Sequence, residues 1–195
     1  MLSTLPEDLQ TIVSDVDAAD RAAEAIAARV TDEAFQWQPD GGRRWSIAQC
    51  LDHLAAVNGL YTAAIRVGVK NAQALGWTRT GPAVPGFLGR RFIALQEPPV
   101  TRRVRAPEKV QPRPRRSREE IMKAYRDAHD DFRQLVSECA QLDVNRATFP
   151  NPFFSLVRVK VSTGLLVLPA HNRRHLWQAE QVEKDFRRRA LPRER

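Results

Sequence analysis

Residues 46–65 read SIAQCLDHLAAVNGLYTAAI, and the spacing within them decides the fold. Ile47, Leu51, Leu54, Tyr61 and Ile65 recur at helical intervals, flanked by Cys50, Val57 and Leu60, so one face of a helix is apolar. Ser46 precedes this stripe and Gln49 follows three residues later, a capping box in which each side chain satisfies the other's free backbone amide. The pattern predicts a helix from Ser46 to about Leu75. His53 shares a stripe with Cys50, Val57 and Leu60, which turns it toward the interior of the fold or its edge.

Three more segments carry the same periodicity. Leu9, Ile12, Val13, Val16, Ala19, Ala23, Ile26, Ala27 and Val30 predict a first long helix from about Pro6, where a proline is tolerated because the first helical amides have no intrahelical acceptor. Residues 35–45, with Pro39, Gly41 and Gly42, break the pattern and read as a connector. Ser117 and Glu120 repeat the capping signal for a third long helix, with Ile121, Tyr125, Ala128, Phe132, Leu135, Val136 and Cys139 inward, ending near Ala140. A fourth spans about Ser162 to Arg188. Pro169 inside it withholds an amide from Leu165, so a kink or 3₁₀ turn is expected just before His171. The alternating residues 157–162 have no recognisable partner strand and read as extended loop.

Four amphipathic helices make an all-α fold, a four-helix bundle forming one domain over residues 1–195. A long Pro/Arg-rich connection, residues 76–116, joins the second and third helices and far exceeds the roughly 2–8 residues usual between antiparallel neighbours. It either runs back along the bundle, leaving those helices parallel, or folds as an ordered flap over one end. Its prolines and glycines argue against a further long helix. The order of the second and fourth helices stays open. Histidines at similar distances from both N-terminal ends favour a parallel pair, whereas the crossover favours an antiparallel one.

The formal charge of +8 is concentrated in two segments. Between Arg102 and Arg118 lie eight basic residues (Arg102, Arg103, Arg105, Lys109, Arg113, Arg115, Arg116 and Arg118) against the single acid Glu108, and the end of the chain is a basic tail, residues 189–195. Apart from Phe186 neither segment has an aromatic to stack on a base, which argues for solvated surface and against a nucleic-acid partner. The first 30 residues carry acids throughout and no continuous apolar run, so neither a signal peptide nor a membrane span is expected, and a cytoplasmic location is. Cys50 and Cys139 lie too far apart for a CxxC pair and read as reduced core residues.

Residues 169–178, PAHNRRHLWQ, place His171 and His175 one helical turn apart on one face, where both imidazoles can reach one ion. The residues between are Asn172, Arg173 and Arg174, so the glutamate of an HExxH protease is missing. Gln178 falls on the same face and could orient a ligand or bond a metal-bound water. His53 is the natural third ligand. His129 reads as a partly exposed histidine without a ligand role, Asp52 as a surface acid, Tyr61 as core, and Trp45 and Trp177 as packing near the site. One of Arg173 and Arg174 could bind a substrate carboxylate while the other faces solvent.

The stretches 35–58, FQWQPDGGRRWSIAQCLDHLAAVN, and 169–182, PAHNRRHLWQAEQV, together resemble the DinB/YfiT-like superfamily of metalloenzymes. The resemblance implies a bundle in which one histidine of the second helix and two of the fourth hold a divalent metal, Zn, Ni, Fe or Mn. Carried over, these are His53, His171 and His175, with Gln178, Arg174 and Trp177 supporting them or contacting substrate. It further implies an enzyme acting on a small-molecule substrate, either transferring a low-molecular-weight thiol to it or hydrolysing it; a homodimer is a separate expectation. The rival reading is a non-catalytic stress-response or binding protein with a structural metal, whose Arg-rich loop meets an acidic partner.

Overall fold

The computed structural model describes residues 5–100, 105–114 and 116–190. The expectations for Arg102, Arg103, Arg115 and most of the basic tail lie outside the described residues. The long helices are α1 (Glu7–Arg29), α4 (Ile47–Ala74), α6 (Arg118–Glu138) and α7 (Val161–Ala190). Between them lie the short α2 (Asp32–Gln36), the turn α3 (Pro39–Gly42) and α5 (Phe87–Ala94). Both capping boxes form: Ser46 Oγ accepts from the Gln49 amide at 3.1 Å and Ser117 Oγ from the Glu120 amide at 3.2 Å.

The ring order α1–α6–α4–α7 and the helix directions follow from side-chain pairs. Asp15 meets Arg173 and Arg29 meets Glu183, so α1 and α7 run parallel. Asn58 meets His129 and Arg66 meets Asp131, so α4 and α6 also run parallel. His53 lies against His175, whereas Ile65 lies against Gly164, so α4 and α7 are antiparallel. The crossover therefore decides the helix order, and the argument from histidine positions, which favoured a parallel pair, is overturned. To leave α4 and α6 parallel, the connection returns along α4, roughly 40 Å at 1.5 Å per residue. It starts with Arg79 bonded to Gln141 and with Thr78 bridged to Leu142, passes through α5, and comes back through a 3₁₀ turn at Glu108–Val110.

Three further expectations need correction. The connector 35–45 is not irregular throughout: Thr31 caps α2, and Asp40 and Gly41 take left-handed φ values of 54° and 64°, a region open to glycine and tolerated by aspartate. Residues 157–162 are not a loop. Arg158–Lys160 forms strand β2, antiparallel to β1 (Thr148–Pro150) with Phe149 opposite Val159, a partner hidden by Pro150 and Pro152 in the sequence. Pro169 causes no 3₁₀ break, and α7 is helical from Val161 through it.

The buried apolar residues form two clusters. One gathers Leu9, Val16, Tyr61, Ile65, Phe132 and Leu165; the other gathers Ile26, Phe35, Leu51, Leu54, Tyr125 and Val182. Between them on α4, α6 and α7 lie buried polar side chains, including Asn58, His129 and Asn172. His129 is a correction: it is fully buried, because Asp20 of α1, Asn58 of α4 and Asn172 of α7 pack around it, partners that α6 viewed alone does not show.

Three buried or half-buried carboxylates are held ionised. Burial works against the charge of Asp20 and of Asp52, but hydrogen bonds from His129 and Arg133 to the first, and from Arg113 and Arg116 to the second, keep both below the usual range. Bonds from Arg29 do the same for Glu183. Folded pKa values below the unfolded ones, about 3.9 for Asp and 4.3 for Glu, give stability that is fully present above those values and lost as pH falls through the folded ones. Thermal melts are expected to decline from about pH 6.5, where unfolded histidines take up protons that the buried His53, His171 and His175 do not, and to drop steeply below about 4 as the carboxylates are protonated. Equal melting temperatures at pH 3 and pH 7 would contradict this.

Candidate metal centre

Ser46 fixes the site from its local sequence. The capping box starts α4 there, leaving Trp45 just outside the helix and His53 two turns within it. The Trp45 ring lies 4.7 Å from that of His53 and 5.7 Å from that of His175, centroid to centroid. His171 and His175, one turn apart on α7, face each other at 4.5 Å, and His53 reaches across from α4 to 5.3 and 4.6 Å from them. One nitrogen of each of the three lies within 4.8 Å of the others.

Two of the rings have their tautomer set by oxygen acceptors. His53 Nδ1–H donates to the Val110 carbonyl at 2.6 Å, and His175 Nδ1–H donates to Gln178 Oε1 at 3.1 Å. A ring that donates from Nδ1 in its neutral form presents Nε2 as a lone-pair donor. Nδ1 of His171 is buried and has no hydrogen-bond partner. Burial pushes the His171 imidazole down to about 3, helped by the neighbouring His53 and Arg174, and likewise holds His53 below and His175 well below the usual histidine value. All three are therefore neutral at pH 7, the state in which imidazole binds a metal.

These residues fit a divalent ion. Ligands about 2.0–2.1 Å from a four-coordinate zinc would stand roughly 3.4 Å apart, against a present spread of up to 4.8 Å. An unpartnered buried nitrogen is costly, about 1–3 kcal/mol, and an ion held through Nδ1 would relieve that cost at His171. Three protein nitrogens also leave further coordination positions for water or substrate.

The other expected residues are placed as follows. Gln178 holds His175 as described. Arg174 donates to the Leu95 carbonyl at 2.9 Å, and Arg173 pairs with Glu97 and Asp15, so neither simply faces solvent. Trp177 is half-buried, and the tryptophan packed against the histidines is Trp45, tilted to both rings. Asp52 is not a surface acid. It is 1% exposed and pairs with Arg113 and Arg116, because the returning connection covers the side of α4 that the helix alone would leave in solvent.

Sequence reasoning missed Asn58 and Asn172, which both approach His129 Nε2, at 2.8 and 3.1 Å, while His129 Nδ1 contacts Asp20. A signal existed for the first, since Asn58 occupies a polar step in the apolar stripe Leu54–Tyr61–Ile65. The Val110 carbonyl had no such signal, because a backbone acceptor carries no residue-type signature. Cys50 and Cys139 are buried, and burial pushes both thiols up, so neither is a thiolate at neutral pH.

A family model described as the DinB superfamily matches residues 15–179. No curated protein and no solved structure matches the chain.

Proposed function

The chain belongs to the DinB superfamily, and on that footing we propose that it is a metal-dependent enzyme whose His53, His171 and His175 hold one divalent ion for attack by a thiol or water on an electrophilic small molecule. The observation that carries the reading is the convergence of three neutral histidine nitrogens within 4.8 Å, from helices that meet only in the folded bundle. A divalent ion bound by neutral ligands keeps its full charge and lowers the pKa of a coordinated thiol or water, so that either becomes nucleophilic near pH 7.

The chain's own residues supply the setting. Trp45 lies tilted against two of the rings and packs that side of the site. Val110 and Gln178 hold two imidazoles in the tautomer that binds metal. Arg174, half-buried beside the ligands, offers a cation for an anionic substrate group. With Cys50 and Cys139 buried and protonated, a thiol nucleophile would come from a small molecule. The rival, an Arg-rich loop meeting an acidic partner, is disfavoured by Arg113 and Arg116, which already pair with Asp52 inside this chain.

Protein purified without a His-tag is expected to carry about one divalent ion per chain by elemental analysis. After loading with Zn, Ni, Fe or Mn in turn, it is expected to consume a small thiol in the presence of a test electrophile, or to hydrolyse an ester or amide. Folded protein that takes up none of the four metals would end the proposal. Uptake without either reaction across a broad panel would leave the structural-metal reading in its place.

A further inference from the structure

Beside His53, α4 carries a buried carboxylate whose partners all come from the far end of the long connection. Asp52 Oδ2 accepts the Arg113 backbone amide at 2.7 Å, and Oδ1 accepts Arg113 Nη2 at 2.9 Å and Arg116 Nη1 at 2.6 Å. Three residues before Arg113 stands Val110, whose carbonyl receives His53 Nδ1–H. The segment between is short and shaped: the Val110 amide bonds the Pro107 carbonyl and the Gln111 amide that of Glu108, both at 3.1 Å, and Gln111 Nε2 reaches the Ala106 carbonyl.

We infer that Asp52 is a positioning residue, which clamps residues 110–114 and Arg116 onto α4 so that the Val110 carbonyl selects the Nδ1–H tautomer of His53 and leaves Nε2 to the ion. The consequence for metal binding rests on the proposed function; the tautomer control does not. Adjacent helical residues point about 100° apart, so Asp52 cannot reach the imidazole of its neighbour directly. It acts instead through a chain that loops over the helix and returns a backbone carbonyl to the ring. A carbonyl can only accept, so this contact excludes the opposite neutral tautomer for as long as the segment stays in place. Loss of an outer partner that orients a ligating histidine typically weakens metal binding by about 10–100-fold.

The test uses the full chain, first without metal. In the wild type, ¹⁵N shifts of the His53 imidazole are expected to report one tautomer, protonated at Nδ1. Asp52→Asn keeps the shape of the side chain and removes its charge, and it is expected to give mixed tautomers. Zinc affinity, from competition with a chromogenic chelator, is expected to fall about 10–100-fold. Should Asp52→Asn fail to fold, the double variant Arg113→Ala, Arg116→Ala removes both guanidinium bonds and leaves the clamp with the backbone amide of residue 113 alone, and mixed tautomers with weakened zinc binding are expected in it as well. A single Nδ1–H tautomer together with wild-type zinc affinity in a folded variant overturns the inference. Mixed tautomers in the variant, with no zinc bound even by the wild type, would uphold the positioning role and sink the metal reading instead.

Discussion

Replacing His53 by alanine is expected to abolish stoichiometric metal binding while leaving the bundle folded. The substitution removes one of three converging nitrogens and leaves His171 and His175 as a two-nitrogen site. The loss of affinity should exceed the roughly 100-fold upper range for disturbing an outer partner. The structural cost is smaller. It comprises an unpaired Val110 carbonyl, about 1–3 kcal/mol, and part of the Trp45 packing, against a typical domain stability of about 5–15 kcal/mol. Elemental analysis beside circular dichroism separates the two effects. A folded variant with undiminished metal content would mean that the ion lies elsewhere.

His129→Ala is expected to do the opposite, destabilising the fold without removing a ligand. His129 is fully buried between Asp20 and the amides of Asn58 and Asn172, with the Tyr125 ring 4.2 Å from its own. Alanine would leave a cavity, deprive both asparagines of their shared acceptor and leave Asp20 with Arg133 alone. Removing one partner from such a buried charged network costs about 3–5 kcal/mol. At about 2–4 °C per kcal/mol for a chain of this size, the melting temperature should fall by roughly 6–20 °C. A shift within about 2 °C would show that the network contributes little to stability. Metal content per folded chain should be unchanged, since Asn58 and Asn172 remain bonded to each other at 2.9 Å. Together the two histidine variants distinguish a ligand from a core residue, a distinction that residue type cannot make.

Much of this was legible in order of locality. The capping boxes at Ser46 and Ser117 and the apolar stripes of all four long helices are short-range features, and they appear where the sequence places them. The i,i+4 pair His171 and His175 was equally local. His53 required the bundle as an intermediate, since only packing of α4 on α7 brings it to the pair. The β1–β2 hairpin was missed because its prolines disguise a strand that needs only three residues. Asp52 and His129 were misjudged for one shared reason. A helix viewed alone leaves both exposed, whereas both are covered by partners more than 50 residues away in the chain.

The sequence by itself determined four amphipathic helices, their starts, the inward face of His53 and the shared face of His171 and His175, because periodicity and capping depend on residues within one or two turns. Only the tertiary structure decided that α4 and α7 run antiparallel, since loop length permits several routes and packing selects one. It alone also decided that the connection returns to place the Val110 carbonyl on His53 and Arg113 and Arg116 on Asp52. Backbone acceptors and long-range ion pairs leave no periodic trace in a sequence, because their partners are set by where the chain comes back.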